Sequence, residues 1–260
     1  MKDRNKVALI TAGATGIGQA IAELFLANQW NVHICDINKD YIDKFLIANP
    51  SASASHIDVG NFDQVEHMFH ELEGLYQNLD VLINNAGIAG ATDEFENISN
   101  ESWNKTLNIN INSLFYCTKL AIPLLKKLQS GSIINISSIA GLMGCPDRSP
   151  YVASKWAIIG LTKTLAMELG PFNINVNAIC PGSVDGDRIE RVISADAKKR
   201  GVSPETIKEI YLRQNSLRKF TNANDISTMA YHLASKAGHG ISGQAIAIDG
   251  NTEGLFNWLS

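Results

Sequence analysis

The sequence predicts an α/β domain in which a parallel sheet of seven strands is covered by helices on both faces. Short apolar runs alternate with segments of helical periodicity along all 260 residues. No linker, low-complexity tract or internal repeat interrupts this alternation. Strands that alternate with helices form βαβ units with right-handed crossovers, and these units build a doubly wound sheet. We therefore expect a single domain that spans residues 1–260.

The predicted strands are seven short runs, and several of them are apolar nearly throughout, as strands covered on both faces must be. They span 7–11, 31–36, 54–59, 81–85, 132–137, 174–179 and 244–249. Between the first two strands, Ile17, Ile21 and Leu24 recur at the spacing of an amphipathic helix. Similar helices fit residues 61–76, 105–129 and 151–169.

The stretch 183–240 contains no predicted strand. Ile189, Val192 and Ile193 suggest one helix, and Ser203–Pro204 suggests the N-cap and first residue of another. A helical insertion late in an open α/β sheet is a natural substrate lid. We expect such a lid near 183–215, with a packed connection as the alternative.

The composition is that of a soluble globular protein, with 45% hydrophobic and 18% charged residues. The net charge of −4 offers no basic footprint for nucleic acid. No apolar run reaches the ~20 residues that span a bilayer, and the polar start MKDRNK leads directly into a strand, so we expect no signal peptide and no membrane partner. The four cysteines show no C-x-x-C pattern, and no histidine has metal-ligand spacing. We expect a cytoplasmic protein without a metal site.

The segment TAGATGIGQA (11–20) joins the first strand to the first helix. Its glycines would allow a tight turn, close approach to a pyrophosphate, and close packing of the helix on the sheet. The phosphates would lie at the helix N-terminus, where free N–H groups favour negative charge. This position favours a dinucleotide-binding Rossmann domain over a simple turn. The expected cofactor contacts are Gly13, Thr15, Gly16, Ile17 and Gly18.

Asp36 ends the second strand, 18 residues beyond Gly18, near the interval of about 20 expected for the acid that binds the ribose hydroxyls. Its carboxylate would repel a 2′-phosphate, and neither Ala14 nor Thr15 supplies a positive charge to attract one. The sequence therefore predicts NAD rather than NADP as the cofactor. The alternative is a strand-end Asp that caps the next helix.

Short motifs with polar residues follow one another along the chain. They are TAGATGIG (11–18), Asp58–Val59, NNAG (84–87), Asn110 in NINSLF, Ser138 in NISS, YVASK (151–155) and Pro181–Gly182. In this order and spacing, the chain resembles the short-chain dehydrogenase/reductase family over essentially its whole length. The resemblance implies an oxidoreductase acting on a secondary alcohol or ketone. It also implies a catalytic tetrad of Asn110, Ser138, Tyr151 and Lys155.

Tyr151 and Lys155 are four residues apart, so a helix places them one above the other on the same face. Such a pair alone is usually a surface contact. A free tyrosine has a pKa of about 10 and is a poor base at neutral pH. Lowering that pKa by about three units requires roughly 4 kcal/mol of differential stabilisation, which a nearby cation in a partly desolvated site can provide. Tyr151 would then take the hydroxyl proton in alcohol oxidation and return it in reduction.

The family resemblance implies roles for the other residues of the site. Ser138 would hold the substrate oxygen, Lys155 would also bind the nicotinamide ribose, and Asn110 would anchor a water through which Lys155 exchanges protons. The remaining expected cofactor contacts are Asp58 and Val59 at the adenine, Asn85, Ala86 and Gly87 near the adenosine, and Pro181, Gly182 and Val184 beside the nicotinamide.

Positions 12 and 186 are among those that depart from the family pattern. Ala12 stands where the family usually has glycine, and its methyl group could restrict φ at a tight turn unless Gly13 absorbs the change. Gly186 stands where a threonine often contacts the carboxamide, so the resemblance does not extend to that contact.

The sequence leaves the substrate open. Arg148, Arg188 or Arg191 could meet an anionic substrate through a bidentate contact, with ordinary surface charge as the alternative. The overall pattern is also similar to 3-oxoacyl-[acyl-carrier-protein] reductases, which usually prefer NADPH, and Asp36 argues against that activity. A non-catalytic NAD-binding protein on the same fold is a third alternative, against which the complete tetrad argues.

The family resemblance also implies a homotetramer, built partly from the helices at 105–129 and 151–169.

Overall fold

The computed structural model describes residues 5–254, and its seven strands form one parallel sheet. The strands are β1 (Val7–Thr11), β2 (Asn31–Asp36), β3 (Ser53–His56), β4 (Val81–Asn84), β5 (Gly131–Ile136), β6 (Ile174–Pro181) and β7 (Ala245–Ile248). Their order across the sheet is β3-β2-β1-β4-β5-β6-β7, and every neighbouring pair is parallel. The predicted doubly wound α/β fold is confirmed.

Nine α-helices connect these strands within residues 5–254. They are α1 (Gly16–Ala27), α2 (Lys39–Ala48), α3 (Phe62–Tyr76), α4 (Asn100–Leu107), α5 (Ser113–Leu128), α6 (Ser149–Leu169), α7 (Asp187–Arg200), α8 (Pro204–Arg213) and α9 (Ala223–Ala234). No helix in this part of the chain combines the length and the apolar character that a bilayer crossing requires.

Successive residues of the strands face opposite sides of the sheet, and each side has its own hydrophobic core. Leu9 of β1 lies in the core beneath α3 and α5, whereas Ile10 lies in the core beneath α1, α2 and α9. Both residues are fully buried. Burial on both faces explains why the strand sequences are nearly continuous apolar runs.

Four elements differ from the sequence prediction. Helix α2 was not predicted, although Asn38 caps it through its side chain. The third strand ends at His56 rather than at residue 59, because Asp58 Oδ1 accepts a hydrogen bond from the backbone N–H of Gly60 and turns the chain. The helix expected over 105–129 is interrupted by a π-helical turn at Asn108–Asn112, between α4 and α5. Helix α9 was not predicted, although Asn222 caps it through its side chain.

The stretch 183–215 contains α7 and α8, as expected. Ile189 and Ile193 of α7 pack against Ile207 and Ile210 of α8 in a small core of their own. Ser203 caps α8 by accepting a hydrogen bond from Thr206 N at 3.2 Å. This core is separate from the two cores that cover the sheet. The role of the helix pair as a substrate lid stays a prediction.

Candidate active site

The predicted site residues follow the carboxyl ends of the strands, where open α/β sheets bind ligands. The chain turns in opposite directions after β1 and after β4, because the sheet continues to β2 and β3 on one side and to β5 on the other. A crevice opens at such a switch point. The glycine loop lies on one side of it, and residues 85–88 lie on the other.

The glycines of the first loop have two different roles. A Cβ on Gly13 would lie 2.6 Å from Ile34 Cγ2, and a Cβ on Gly18 would lie 2.2 Å from the carbonyl oxygen of Ala12. Both positions therefore require glycine for packing against the sheet and the loop. Gly16 has φ +56, and nothing lies within 4 Å of its missing Cβ. That open face lies at the start of α1, where unpaired N–H groups favour negative charge, and it forms a cradle that could hold a phosphate.

The strained backbone conformation of the turn lies at Ala12. Its φ is 49, in the left-handed region that favours glycine, whereas Gly13 has no positive φ. Of the two possibilities left open by the sequence, the change is therefore taken up at Ala12 and not at Gly13. Thr15 is the N-cap of α1, yet its side chain makes no capping hydrogen bond, and Ile17 follows in the first turn. The Thr15 hydroxyl thus stays available at the cradle.

Asp36 lies at the end of β2 beside the glycine loop and is buried. Its Oδ2 accepts a hydrogen bond from Ala14 N at 3.4 Å, and its Oδ1 accepts one from Asn38 N at 3.0 Å. The next helix is capped by Asn38, whose side chain accepts from Tyr41 N at 3.1 Å. The alternative role of Asp36 as the helix cap is therefore wrong.

The segment after β4 is fastened to the glycine loop. Asn85 Nδ2 donates to the carbonyl oxygens of Thr11 and Ala12, both at 3.0 Å. In return, Thr11 Oγ1 accepts from the backbone N–H groups of Asn85 at 2.9 Å and Ala86 at 3.0 Å. Thr11 was missed by the sequence analysis, although its place directly before the loop was a usable signal. The side chain of Asn85 thus supports the loop backbone.

Three residues of the predicted tetrad meet where β5 ends against α6. Lys155 Nζ lies 5.5 Å from the centre of the Tyr151 ring and donates a hydrogen bond to Ile136 O at 2.9 Å. The Ser138 hydroxyl lies near the Tyr151 phenol and contributes to lowering its pKa. Tyr151 is half-buried, whereas Lys155 is buried. A phenol, a hydroxyl donor and an ammonium therefore converge on one point.

The charges around Tyr151 favour its phenolate form. Burial by itself would raise the pKa of Tyr151 above the ordinary value of 10. The positive charge of Lys155 is the largest opposing effect, and that of Arg188 is the next. The hydroxyl of Ser138 and the charge of Arg148 add to them, so that the pKa of the phenol is lowered. A group with this pKa suits proton transfer better than a free tyrosine.

Asn110 lies in the π-helical turn, and both polar atoms of its side chain are hydrogen-bonded. Its Oδ1 accepts from Ile88 N at 2.8 Å, and its Nδ2 donates to Ile88 O at 3.1 Å and to Ser154 Oγ at 2.9 Å. A Cβ on Gly87 would lie 3.4 Å from Asn110 Oδ1 and 3.5 Å from Lys155 Nζ. Both atoms therefore face the same small space beside Gly87.

Residues that the sequence analysis did not name hold Lys155 in place. Ser137 Oγ donates to the Lys155 carbonyl oxygen at 2.9 Å. A Cβ on Gly141 would lie 2.7 Å from that same oxygen, so the turn after β5 packs directly on α6. Ser154, inside the YVASK motif, was also not named, although its Oγ accepts a hydrogen bond from Asn110 Nδ2 at 2.9 Å.

The remaining predicted contacts lie on either side of this centre. Pro181 ends β6, Gly182 N donates to Ile248 O at 3.1 Å, and Val184 forms a bridge with Thr221. These residues flank the space above β5 and β6. The residues predicted at the adenine, Asp58 and Val59, follow the outermost strand β3. Gly186, with φ +130, precedes α7 as its N-cap and offers no side chain to a carboxamide.

A comparison with protein families matches residues 6–197 to the model described as short chain dehydrogenase. The chain belongs to this family. The resemblance inferred from the motifs is thereby confirmed, and short-chain dehydrogenases are oxidoreductases of the kind that the site geometry suits.

Relatives within the short-chain dehydrogenases cover nearly the whole chain. A 3-oxoacyl-[acyl-carrier-protein] reductase from Thermotoga maritima is 33% identical over 255 residues, which are 96% of this chain and 98% of that protein. A variant of actinorhodin polyketide ketoreductase with NADPH has a TM-score of 0.91, 26% identity, and coverage of 95% of this chain and 96% of its own. An NAD⁺-bound xylitol dehydrogenase has a TM-score of 0.89, 26% identity, and coverage of 95% and 99%.

Proposed function

We propose that this short-chain dehydrogenase is an NAD(H)-dependent oxidoreductase that interconverts a secondary alcohol and its ketone, with Tyr151 as the general acid and base. The observation that carries the proposal is the convergence of Tyr151, Lys155 and Ser138, in which the cation lies 5.5 Å from the centre of the phenol ring. We also propose that the whole chain acts as one nucleotide-binding domain.

In the proposed reaction Tyr151 removes the proton from the substrate hydroxyl and returns it in the reverse direction. Ser138 donates a hydrogen bond to the substrate oxygen and stabilises the charge that develops there. Lys155 keeps the phenolate stable through its positive charge. Asn110, whose Oδ1 faces the same space as Lys155 Nζ, holds the water that restores the proton. Bound nicotinamide supplies the chemistry of hydride transfer at the substrate carbon.

The proposed cofactor site extends over the crevice from the adenine to the nicotinamide. Its residues are Gly13, Thr15, Gly16, Ile17, Gly18, Asp36, Asp58, Val59, Asn85, Ala86, Gly87, Tyr151, Lys155, Pro181, Gly182 and Val184. The open face of Gly16 supports a bound pyrophosphate. Lys155 would bind the ribose in addition to tuning Tyr151.

The preference for NAD rests on Asp36. Its carboxylate is fixed by two backbone N–H groups at the mouth of the glycine loop, where it would accept hydrogen bonds from the ribose hydroxyls and repel a 2′-phosphate. The neighbouring cation, Lys39, is paired with Asp43 at 3.0 Å and is not directed to a phosphate. A second candidate, a 3-oxoacyl-[acyl-carrier-protein] reductase with NADPH, is favoured by the 33% identity to the Thermotoga maritima enzyme.

We further propose a cytoplasmic homotetramer. Phe115 of α5 is 54% exposed, and Trp156 and Met167 of α6 are 50% and 82% exposed. Large exposed apolar side chains on these two helices are typical of surfaces that pair with a second copy. Light scattering should give four times the mass of the 28.3 kDa chain, and a Trp156→Glu variant should give a smaller assembly.

The experiment that tests the proposed function is a panel of secondary alcohols and ketones with NAD(H) and NADP(H), followed at the nicotinamide absorbance. We expect turnover with a higher kcat/KM for NAD(H). A higher kcat/KM for NADPH with 3-oxoacyl substrates would favour the second candidate. Cofactor binding without turnover of any alcohol or ketone would instead indicate a non-catalytic protein.

A further inference from the structure

Arg148 lies directly over the phenol ring of Tyr151. Its guanidinium carbon is 5.0 Å from the centre of the Tyr151 ring, and its Nη2 donates to Ala89 O at 3.2 Å. This hydrogen bond ties the side chain to the loop after β4, so the guanidinium is held over the reacting group rather than extended into solvent. The preceding residue, Asp147, has φ 62, a conformation that asparagine and aspartate tolerate better than most residues.

Among residues 5–254, the guanidinium of Arg148 has no negatively charged partner. Its Nε is buried and has no hydrogen-bond partner in this part of the chain. None of the ion pairs formed within residues 5–254 includes Arg148. Buried N–H groups of a guanidinium are nearly always satisfied, so an unpaired one beside a substrate site indicates a place for an acceptor on the substrate.

Arg188 supplies a second positive charge from the other side of the site. It lies in the first turn of α7, it is exposed, and none of the ion pairs in the described part of the chain includes it. The helix that carries it follows β6, the strand beside β5. Burial is the main cause that lowers the pKa of Lys155, and the charge of Arg188 adds to this and also lowers the pKa of Tyr151. The nearest carboxylates in sequence, Asp147 and Asp187, are exposed to solvent.

We infer that the substrate carries a carboxylate close to its reacting carbon, and that Arg148 and Arg188 bind this carboxylate above Tyr151. The inference rests on the proposed function and names its substrate class, the hydroxy acids and their oxo acids. A carboxylate accepts hydrogen bonds on two oxygens, which matches the planar donor fork of Arg148. It would also supply a counter-charge to both arginines, neither of which forms an ion pair with the residues that the structure describes.

The alternative is that Arg148 only positions Tyr151 or tunes its pKa. A comparison of a charged substrate with an uncharged analogue distinguishes carboxylate binding from positioning of Tyr151. A positioning residue acts on the proton transfer and affects every alcohol equally, whereas a carboxylate-binding residue affects acids and leaves their neutral esters nearly unchanged. The diagnostic quantity is therefore the ratio of kcat/KM for an acid to kcat/KM for its ester.

The test uses the full-length protein with NAD⁺ and short-chain 3-hydroxy acids, each paired with its methyl ester. We expect the wild type to favour the acids, and Arg148→Gln to lower the acid-to-ester ratio by about tenfold or more, as for loss of a charge-assisted bidentate contact. Arg188→Gln should lower it severalfold. Arg191→Gln is the matched control, because Arg191 is an exposed cation in the same helix whose charge does not contribute to the lowered pKa of Tyr151, and its ratio should stay within about twofold.

Arg148→Lys is a second variant in case Arg148→Gln does not fold. It keeps the positive charge but loses the planar pair of donors. Its acid-to-ester ratio should therefore lie between those of the wild type and Arg148→Gln. Equal kcat/KM for acids and esters in the wild type, or an unchanged ratio in folded Arg148→Gln or Arg148→Lys, overturns the inference and leaves the oxidoreductase intact. Absence of hydride transfer with every acid, ester and neutral alcohol overturns both the inferred carboxylate site and the proposed oxidoreductase function.

Discussion

The ammonium of Lys155 lies 5.5 Å from the centre of the Tyr151 ring while it donates a hydrogen bond to Ile136 O at 2.9 Å. The bond to the end of β5 fixes the cation relative to the sheet, and the helix fixes the phenol relative to the cation. The pKa of Tyr151 is lowered because this charge, with smaller contributions from its neighbours, outweighs the effect of burial. The phenol is thereby prepared to exchange a proton with a substrate.

Removal of the phenol oxygen should stop catalysis and spare the cofactor site. We expect Tyr151→Phe to lower kcat by about 10² to 10⁴-fold, the usual contribution of a general acid or base. The dissociation constant for NAD, measured by calorimetry, should change by no more than about threefold, because the ring remains in place. Tyr41→Phe, at an exposed tyrosine of α2, is the control. A Tyr151→Phe enzyme with more than about a tenth of normal activity would exclude Tyr151 as the proton donor and acceptor.

Cofactor preference should follow the charge at the end of β2. Ile37 is 65% exposed and directly follows Asp36, so an arginine there can reach a 2′-phosphate. We expect Asp36→Ser combined with Ile37→Arg to raise the kcat/KM ratio of NADP to NAD by about 100-fold or more, through loss of repulsion and gain of a charge-assisted contact. Ile37→Arg alone should shift the ratio less. If the double variant keeps the original ratio, Asp36 does not select the cofactor.

A glycine at position 12 should stabilise the protein. Ala12 has φ 49, and an L-residue in this region costs about 1 to 2 kcal/mol. Part of this gain is offset because glycine loses more conformational freedom on folding, so we expect Ala12→Gly to raise the free energy of unfolding by about 0.5 to 1 kcal/mol. Urea denaturation measures the change. Ala20→Gly, inside α1, should instead lower the free energy by roughly 1 kcal/mol. A destabilised Ala12→Gly protein would show that the turn is not strained.

Stability should decrease in mild acid because of His33. This side chain is buried between Ser53 Oγ at 2.8 Å and Ser55 Oγ at 3.0 Å. Burial, partly opposed by the charge of Glu71, lowers the pKa of His33 from 6.5 to about 4. Between these two values the unfolded chain binds a proton that the folded chain does not, so the free energy of unfolding falls as the pH falls from about 6.5 to about 4. A shift of this size corresponds to about 3 kcal/mol.

The measurement is urea denaturation at several pH values between neutrality and the lowered pKa of His33. Other groups also titrate there, so the informative quantity is the difference between wild type and His33→Gln, which should shrink toward low pH as the wild type loses the contribution of neutral His33. His70→Gln, at an exposed histidine of the same helix α3, is the matched control. A constant difference between wild type and His33→Gln would mean that His33 does not titrate in this range.

Much of the fold could be predicted because its signals are local. Each of the seven predicted strands overlaps an observed one, since a buried parallel strand is a short apolar run between turn residues. The misses also have local causes. The third strand ended early at the Asp58 side-chain turn. Helices α2 and α9 were not predicted because their few buried positions lie among polar neighbours.

The candidate site was predictable only in part. The motifs indicated Ser138, Tyr151 and Lys155, and the structure brings these residues together. Thr11 and Ser137 went unnamed because each acts through hydrogen bonds to residues distant in sequence, Thr11 to 85 and 86 and Ser137 to 155. A hydrogen bond between residues so far apart in the sequence leaves no pattern of periodicity or spacing in a short segment.

By itself the sequence determined the type of domain and the pairing of phenol with ammonium, because a helix of 3.6 residues per turn fixes the relation of Tyr151 to Lys155 whatever surrounds them. Only the tertiary structure decided that Ala12 carries the positive φ, that Asp36 is held by Ala14 rather than used as a helix cap, and that Arg148 lies over the Tyr151 ring. The contacts of Asp36 with Ala14 and of Arg148 with Ala89 join segments that follow different strands, and such segments meet only after the sheet has formed.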